Sequence, residues 1–209
     1  MTKKLSHRGP DNDGKLKILE NLYFGHNRLS ILDLSSNGNQ PMHSNNKNLT
    51  ITYNGEIYNH KKIREKLDSI HKISWKSKCD TETLINSIEI IGLKKTLEMA
   101  EGMFAFAYFD KRKNKIFIAR DRFGEKPLYY LNYHGTFSFS SEIGALTKVK
   151  IFNNEINEKS VFDFLNLSYI PSPNTIYKNI FKLEPGSILE VDVENFEKKK
   201  KFFKDRKMV

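Results

Sequence analysis

The stretch 103–109 is strongly apolar, breaks at Asp110-Lys111-Arg112-Lys113-Asn114, and resumes as strand-like residues over 115–119. An apolar run, a polar turn and a second apolar run read as a β-hairpin. The pattern recurs at 128–133 and 136–140, joined across His134-Gly135. Leu49-Thr50-Ile51-Thr52-Tyr53 alternates as a half-buried strand. It is expected to end in a tight turn at Asn54-Gly55, since both residue types tolerate positive φ. A late strand is expected at 188–193, entered through Pro185-Gly186. Helical periods are fewer and grouped apart. A short surface helix fits 61–67, and an amphipathic one fits 160–167. Asp80–Ile91 places Leu84, Ile88 and Ile91 on one face, with Asp80 as its N-cap and Gly92 as its stop. Hairpins in succession with helices segregated predict an α+β fold of mostly antiparallel sheets.

With 209 residues, one domain over 1–193 is expected, followed by a charged tail or linker at 194–209 where apolar periodicity fades. No apolar run approaches the ~20 residues of a spanning helix, and the polar start lacks a signal-like apolar stretch. The single cysteine, Cys79, allows no internal disulfide and suits a reducing cytosol, so a cytoplasmic protein is expected. The net charge of +10 raises nucleic acid as a partner. The lysines are scattered, however, and the one dense run, 198–201, lies beside Glu194 and Glu197. A solvated surface is the expected reading, with neither nucleic acid nor membrane as partner.

Three places carry chemistry. Tyr53-Asn54-Gly55-Glu56 can present an amide side chain, an approachable backbone N–H and a carboxylate, a set suited to a small polar ligand or an oxyanion. Its plain alternative is a β-turn with an exposed glutamate. Arg28 lies among apolar residues and, if drawn inside, would need a carboxylate partner. Asp80 has the role of a cap open to it. Together Arg28 and Asp80 would suit the two charges of a free amino acid, though spacing alone does not bring them together.

Beyond these, His7-Arg8-Gly9-Pro10-Asp11 with Gly14, Gln40-Pro41-Met42, Tyr53 through Asn59, Cys79-Asp80-Thr81-Glu82, Arg120 through Tyr130, Phe139-Ser140-Ser141-Glu142-Ile143 and Leu183-Glu184-Pro185-Gly186 follow in order. This series resembles the glutamine-hydrolysing domain of asparagine synthetases, the class II glutamine amidotransferases. The resemblance covers nearly the whole chain. It implies an N-terminal-nucleophile (Ntn) fold, an α-β-β-α sandwich of antiparallel sheets, here expected to lack its first strand. By resemblance, Arg28 pairs the α-carboxylate of L-glutamine and Asp80 its α-ammonium. Asn54 and Gly55 form the oxyanion hole, and Glu56 is a further glutamine contact. The Arg120 to Tyr130 stretch is expected to brace a loop through Gly124 and Pro127.

The family's nucleophile is an N-terminal cysteine, which this sequence does not show. Thr2 falls on the helix leading into the first motif, and Cys79 has no free α-amine. No catalytic nucleophile is therefore assigned, no metal site is expected, and the chain by itself is expected to be inactive. ATP and magnesium would serve a synthetase domain whose phosphate loop does not occur here, so no cofactor is expected in this chain. The leading expectation is a glutaminase domain supplying ammonia for ATP-dependent amidation of aspartate. A non-catalytic amino-acid-binding or regulatory module, or a fragment of a split or mis-started gene, stays open. So do a separate synthetase chain as partner and a homo-oligomer.

Overall fold

The structure, a computed structural model, describes residues 1–203; the expected tail beyond 203 lies outside the described residues. A 3-10 helix, Thr2–Arg8, leads into an antiparallel hairpin of β1 (Asn12–Leu19) and β2 (Leu22–Arg28). β3 (Met42–His43) and β4 (Leu49–Ile57) follow, then a helical block of α1 (His60–Asp68), α2 (Asp80–Ile91) and α3 (Leu93–Met99). The hairpin β5 (Gly102–Asp110) and β6 (Lys115–Arg120) comes next, and then β7 (Tyr129–Tyr133) and β8 (Thr136–Ser140). α4 (Ile143–Leu146), α5 (Glu158–Leu167), β9 (Ile180–Lys182), β10 (Ser187–Asp192) and β11 (Lys198–Phe202) complete the order.

The strands assemble into a six-stranded antiparallel sheet, β11-β10-β6-β5-β4-β3, a three-stranded sheet, β8-β7-β9, and the β1-β2 pair. The 103–109 run is apolar at every position because β5 is central and buried on both faces. Phe104, Phe106 and Tyr108 join Leu49, Ile51 and Tyr53 beneath Leu84, Ile85 and Ile88 of α2. Ala105, Ala107 and Phe109 point the other way, onto Leu22 and Phe24 of β2, Leu128 and Leu189. α4 covers the outer side of the three-stranded sheet through Leu146, against Leu131 and Ile180. The result is the expected four-layer order, helices, sheet, sheets, helix.

Two expectations are corrected. The turn at Asn54-Gly55 does not form, and β4 runs straight through it to Ile57. Gly55 sits opposite Phe104, and a Cβ there would lie 2.3 Å from the Met103 carbonyl oxygen and 2.7 Å from the Phe104 Cα. The glycine thus supplies room for close strand approach, not positive φ. The part of the 194–209 tail that is described is also not irregular. β11 pairs with β10 from Ser187 opposite Phe202 to Val191 opposite Lys198. A lysine run suits an edge strand, whose open side it keeps charged, and its apolar signal lies in Phe202 and Phe203 rather than in periodicity.

Candidate functional site

The site gathers along one edge of β4 that is only partly paired. β3 covers Thr50 and Ile51; beyond them the edge is finished by side chains. The Gln40 amide takes the place of a neighbouring peptide group. Its Oε1 accepts from the Tyr53 N–H at 2.7 Å, and its Nε2 donates to the Tyr53 carbonyl at 3.2 Å. At Ile57 the closing group is Asp80, whose Oδ2 accepts the N–H at 2.9 Å. Successive N–H groups of a strand alternate between its two sides, so the Gly55 N–H emerges between these two. On the opposite side, Phe104 directs its backbone at Asp121 and not at Gly55: Asp121 N–H donates to the Phe104 carbonyl at 2.8 Å.

Asp80 is the first residue of α2 rather than its cap; Cys79 occupies the N-cap position. The carboxylate instead reaches across to β4, where Oδ2 also accepts from the Tyr53 hydroxyl at 2.6 Å. Burial, and then the Asp80 charge, push the Tyr53 phenol well above its ordinary pKa, so it stays a donor. The turn before α2 is fixed by Arg64 and Glu82. Arg64 donates to the Ser77 and Cys79 carbonyls at 2.9 and 2.8 Å, and Glu82 accepts from the Lys76 and Ser77 N–H groups at 2.8 Å each.

Arg28 ends β2 and is buried, as its apolar neighbours suggested. Its partners within the chain are neutral oxygens, so a carboxylate partner would have to come from a ligand. Nη1 donates to the Ser35 carbonyl at 2.7 Å and to Asn39 Oδ1 at 2.8 Å, and Nη2 donates to the Asp33 carbonyl. The following loop curls back over the guanidinium, which Gly38 permits: a Cβ there would fall 2.2 Å from Nη2. The loop is anchored at its far end by Asp33, which accepts from Ser35 N–H at 2.8 Å and Lys78 N–H at 2.7 Å. Hydrogen bonds from Ser35 and the Lys78 N–H hold its carboxyl at a pKa of about 2. Arg28 therefore braces a loop with neutral acceptors and keeps its positive charge.

Arg28, Asn54, Gly55, Glu56 and Asp80, from separate parts of the chain, all line one cavity of about 230 Å³. Asn54 Nδ2 is buried with no partner, an arrangement that costs about 1–3 kcal/mol. Arg8, His26 and Lys126 line the same space and were not singled out as site residues in the sequence. His26 is held neutral: burial lowers its pKa to about 4, and its Nε2 lies 3.1 Å from the Tyr53 carbonyl, an acceptor only. Its Nδ1 is buried without a partner. Lys126 is placed by the Arg120 to Tyr130 stretch, which braces a loop as expected. Arg120 donates to the Lys126 and Leu183 carbonyls at 2.7 Å each, and Asp121 accepts from the Phe123, Glu125 and Lys126 N–H groups. Gln40 falls in the motif Gln40-Pro41-Met42, but no local pattern gives its role or that of His26, because both roles depend on where β4 lies.

Cys79 also borders the cavity, but it is buried and packed 2.9 Å from the Ser77 hydroxyl, and burial pushes its thiol up. A second, larger cavity of about 800 Å³ shares His26 and Asn54 with the first and runs between β2 and β8 over Ala105 and Ala107. Thr2 lies there, against Gly25, and not in the first cavity. Among the described residues no group of three or more His, Cys, Asp or Glu could hold a metal ion, and no helix is long and apolar enough to cross a membrane.

Comparison with known proteins places the chain in a family. Residues 1–203 match the family model described as a glutamine amidotransferase domain. The chain is 38% identical to a putative asparagine synthetase [glutamine-hydrolyzing] 2 of Methanocaldococcus jannaschii, over 97% of the chain and 42% of that protein. It is 35% identical to asparagine synthetase [glutamine-hydrolyzing] 1 of Bacillus subtilis, over 90% of the chain and 29% of that protein. The chain thus spans well under half the length of these relatives. Among solved structures, glutamine phosphoribosylpyrophosphate amidotransferase from B. subtilis shares the fold with a TM-score of 0.59 at 22% identity, over 86% of this chain and 34% of that one.

Proposed function

This chain belongs to the glutamine amidotransferase domain family, and from that premise we propose that the cavity along β4 binds free L-glutamine. The observation that carries the reading is the meeting of Arg28, Asn54, Gly55, Glu56 and Asp80 in one small cavity. Arg28 keeps its charge for the α-carboxylate, since its protein partners are neutral oxygens. Asp80 faces the α-ammonium: both of its hydrogen bonds fall on Oδ2, leaving Oδ1 for a ligand. The Asn54 amide and the Gly55 N–H are the two donors for the side-chain carbonyl oxygen, where negative charge would develop during amide attack. Glu56 contacts the ligand from the same strand.

Hydrolysis needs a nucleophile beside those donors, and among the described residues that line the cavity the one thiol is Cys79. Cys79 is buried with its thiol pushed up, and a thiol rather than a thiolate is a poor nucleophile. We therefore propose that these residues bind glutamine without turning it over. In a longer or two-chain asparagine synthetase, they form the part that recognises the amide donor. ATP-dependent amidation of aspartate would belong to the remainder of such a protein. Calorimetric titration of residues 1–209 tests this. We expect glutamine to bind, binding to weaken at least 10-fold in Arg28→Lys, where the fork that fits a carboxylate is lost, and no glutamate to be released. Equal binding by the variant, or glutamate release that disappears in Thr2→Ala, would overturn the proposal.

A further inference from the structure

The α-ammonium and α-carboxylate of an amino acid hang on one carbon atom, so a site for both must hold its two charged residues at a fixed separation. Arg28 and Asp80 come from separate elements, and the turn 76–79 ties them together. At one end the turn runs directly into Asp80, the first residue of α2. Along its length it holds the loop that covers Arg28 at two points. The Lys78 N–H donates to Asp33 Oδ2 at 2.7 Å, and Asn37 Nδ2 donates to the Lys76 carbonyl at 2.9 Å. Asp33 in turn offers its own carbonyl to Arg28. The turn belongs to no helix or strand, so side chains set its shape. Arg64 of α1 does most of this. Its guanidinium takes the carbonyls on either side of Lys78, Ser77 at 2.9 Å and Cys79 at 2.8 Å. Its Nε donates to the Thr83 hydroxyl at 2.6 Å, in the first turn of α2, and its plane lies 4.2 Å from the Trp75 ring. Glu82, 3.5 Å from Nη2, accepts from the Lys76 and Ser77 N–H groups. Arg64 itself lines neither cavity.

We infer that Arg64 is a positioning residue that sets the separation of Arg28 and Asp80, and so favours ligands that carry both charges on one carbon. The inference rests on reading the cavity as a glutamine site. A planar fork fixes several acceptors in one geometry, which a single ammonium cannot do. Two clamps held on one brace are already in register when the ligand arrives, whereas two independent clamps must be ordered by it. A ligand with only one of the two charges engages one clamp and gains nothing from the brace.

The test is a chemical-shift titration of residues 1–209 and of Arg64→Lys, which keeps a positive charge beside Glu82 but gives up the fork. Three ligands are compared: L-glutamine, 4-carbamoylbutanoate, which lacks the ammonium, and 4-aminobutanamide, which lacks the carboxylate. The variant should bind glutamine about 10-fold more weakly while each one-charge analogue stays within about 3-fold. Equal weakening of all three would show a general loss of structure, and unchanged glutamine binding would show no coupling; either overturns the inference. Should Arg64→Lys melt more than about 5 °C lower, Asn37→Ala repeats the comparison, because it cuts one tie at an exposed residue. The same selective loss is expected there, and a uniform loss or none overturns the inference. The brace is also read without ligand: the Lys78 amide should exchange about 10-fold faster in Arg64→Lys, and unchanged exchange overturns the inference. Failure of the unaltered chain to bind glutamine removes the cavity reading instead and leaves the exchange result as the measure of the brace.

Discussion

His26 illustrates how much a single residue can do without being conspicuous in sequence. It stands between apolar and polar neighbours, and nothing in that spacing says that its ring reaches the backbone of a distant strand. Burial holds it neutral at a pKa of about 4, against 6.5 in the unfolded chain. A histidine depressed in the fold contributes stability that is complete above about pH 6.5 and is lost as pH falls toward 4, because only the unfolded chain takes up the proton. At about 1.4 kcal/mol per pH unit, the ceiling is about 3 kcal/mol. His43 and His60, also lowered by burial, act in the same direction. Urea midpoints measured from pH 7 to pH 4.5 should fall, and His26→Gln should flatten part of that fall. An identical slope in the variant would show that His26 is not the source. Arg28 and Asp80 were legible as charged residues needing partners, yet their actual partners were not. Arg28 finds its partners in the loop that follows it, and Asp80 finds its own on β4, a neighbour only in three dimensions.

At the scale of elements, legibility followed how far the signal was local. The Asp80–Ile91 helix and the Thr136–Ser140 strand were readable residue for residue, because an apolar face or a hairpin turn announces them. β1 and β2 went unread: Lys15 and Lys17 alternate with Leu16 and Ile18, but glycines and charges interrupt the pattern. β11 was hidden by its own lysines. The Lys198 ammonium lies over the Tyr130 and Phe181 rings, 5.6 and 5.9 Å from their centroids. Beyond the strand, Phe203 stacks on Phe104 with ring centroids 6.4 Å apart, and Arg122 sits 5.7 Å from the Phe203 ring. β11 and Phe203 therefore belong to the domain rather than to a linker. Ending the chain after Val193 should lower the melting temperature by several degrees, since it strips a strand from β10 and an aromatic contact from the core. An unchanged melting curve would return that stretch to the status of a linker.

Across the whole molecule, the cavity exists because three kinds of structure stop at the same place. The β1-β2 hairpin ends at Arg28, α2 begins at Asp80, and β3 runs out beside β4. The antiparallel α+β class could be anticipated from hairpins and grouped helices, and the four-layer plan from the family resemblance. The convergence could not, since it depends on register rather than on composition. It leaves β4 an unusual border, with the Tyr53 N–H closed by a side-chain amide, the Ile57 N–H by a carboxylate, and the Gly55 N–H lying between them. A sheet normally extends by adding a peptide group beside each open one. Here the neighbouring positions have been filled with side chains, so another strand has no room to zip along. A lone carbonyl oxygen the size of a primary amide can still complete the single remaining rung. Glutamine recognition would then be sheet extension cut down to one bond. In that case the amide proton of Gly55 should exchange faster than those of Tyr53 and Ile57 in the free protein and should slow when glutamine is added. If NMR shows the three protected alike from the start, the rung is already closed.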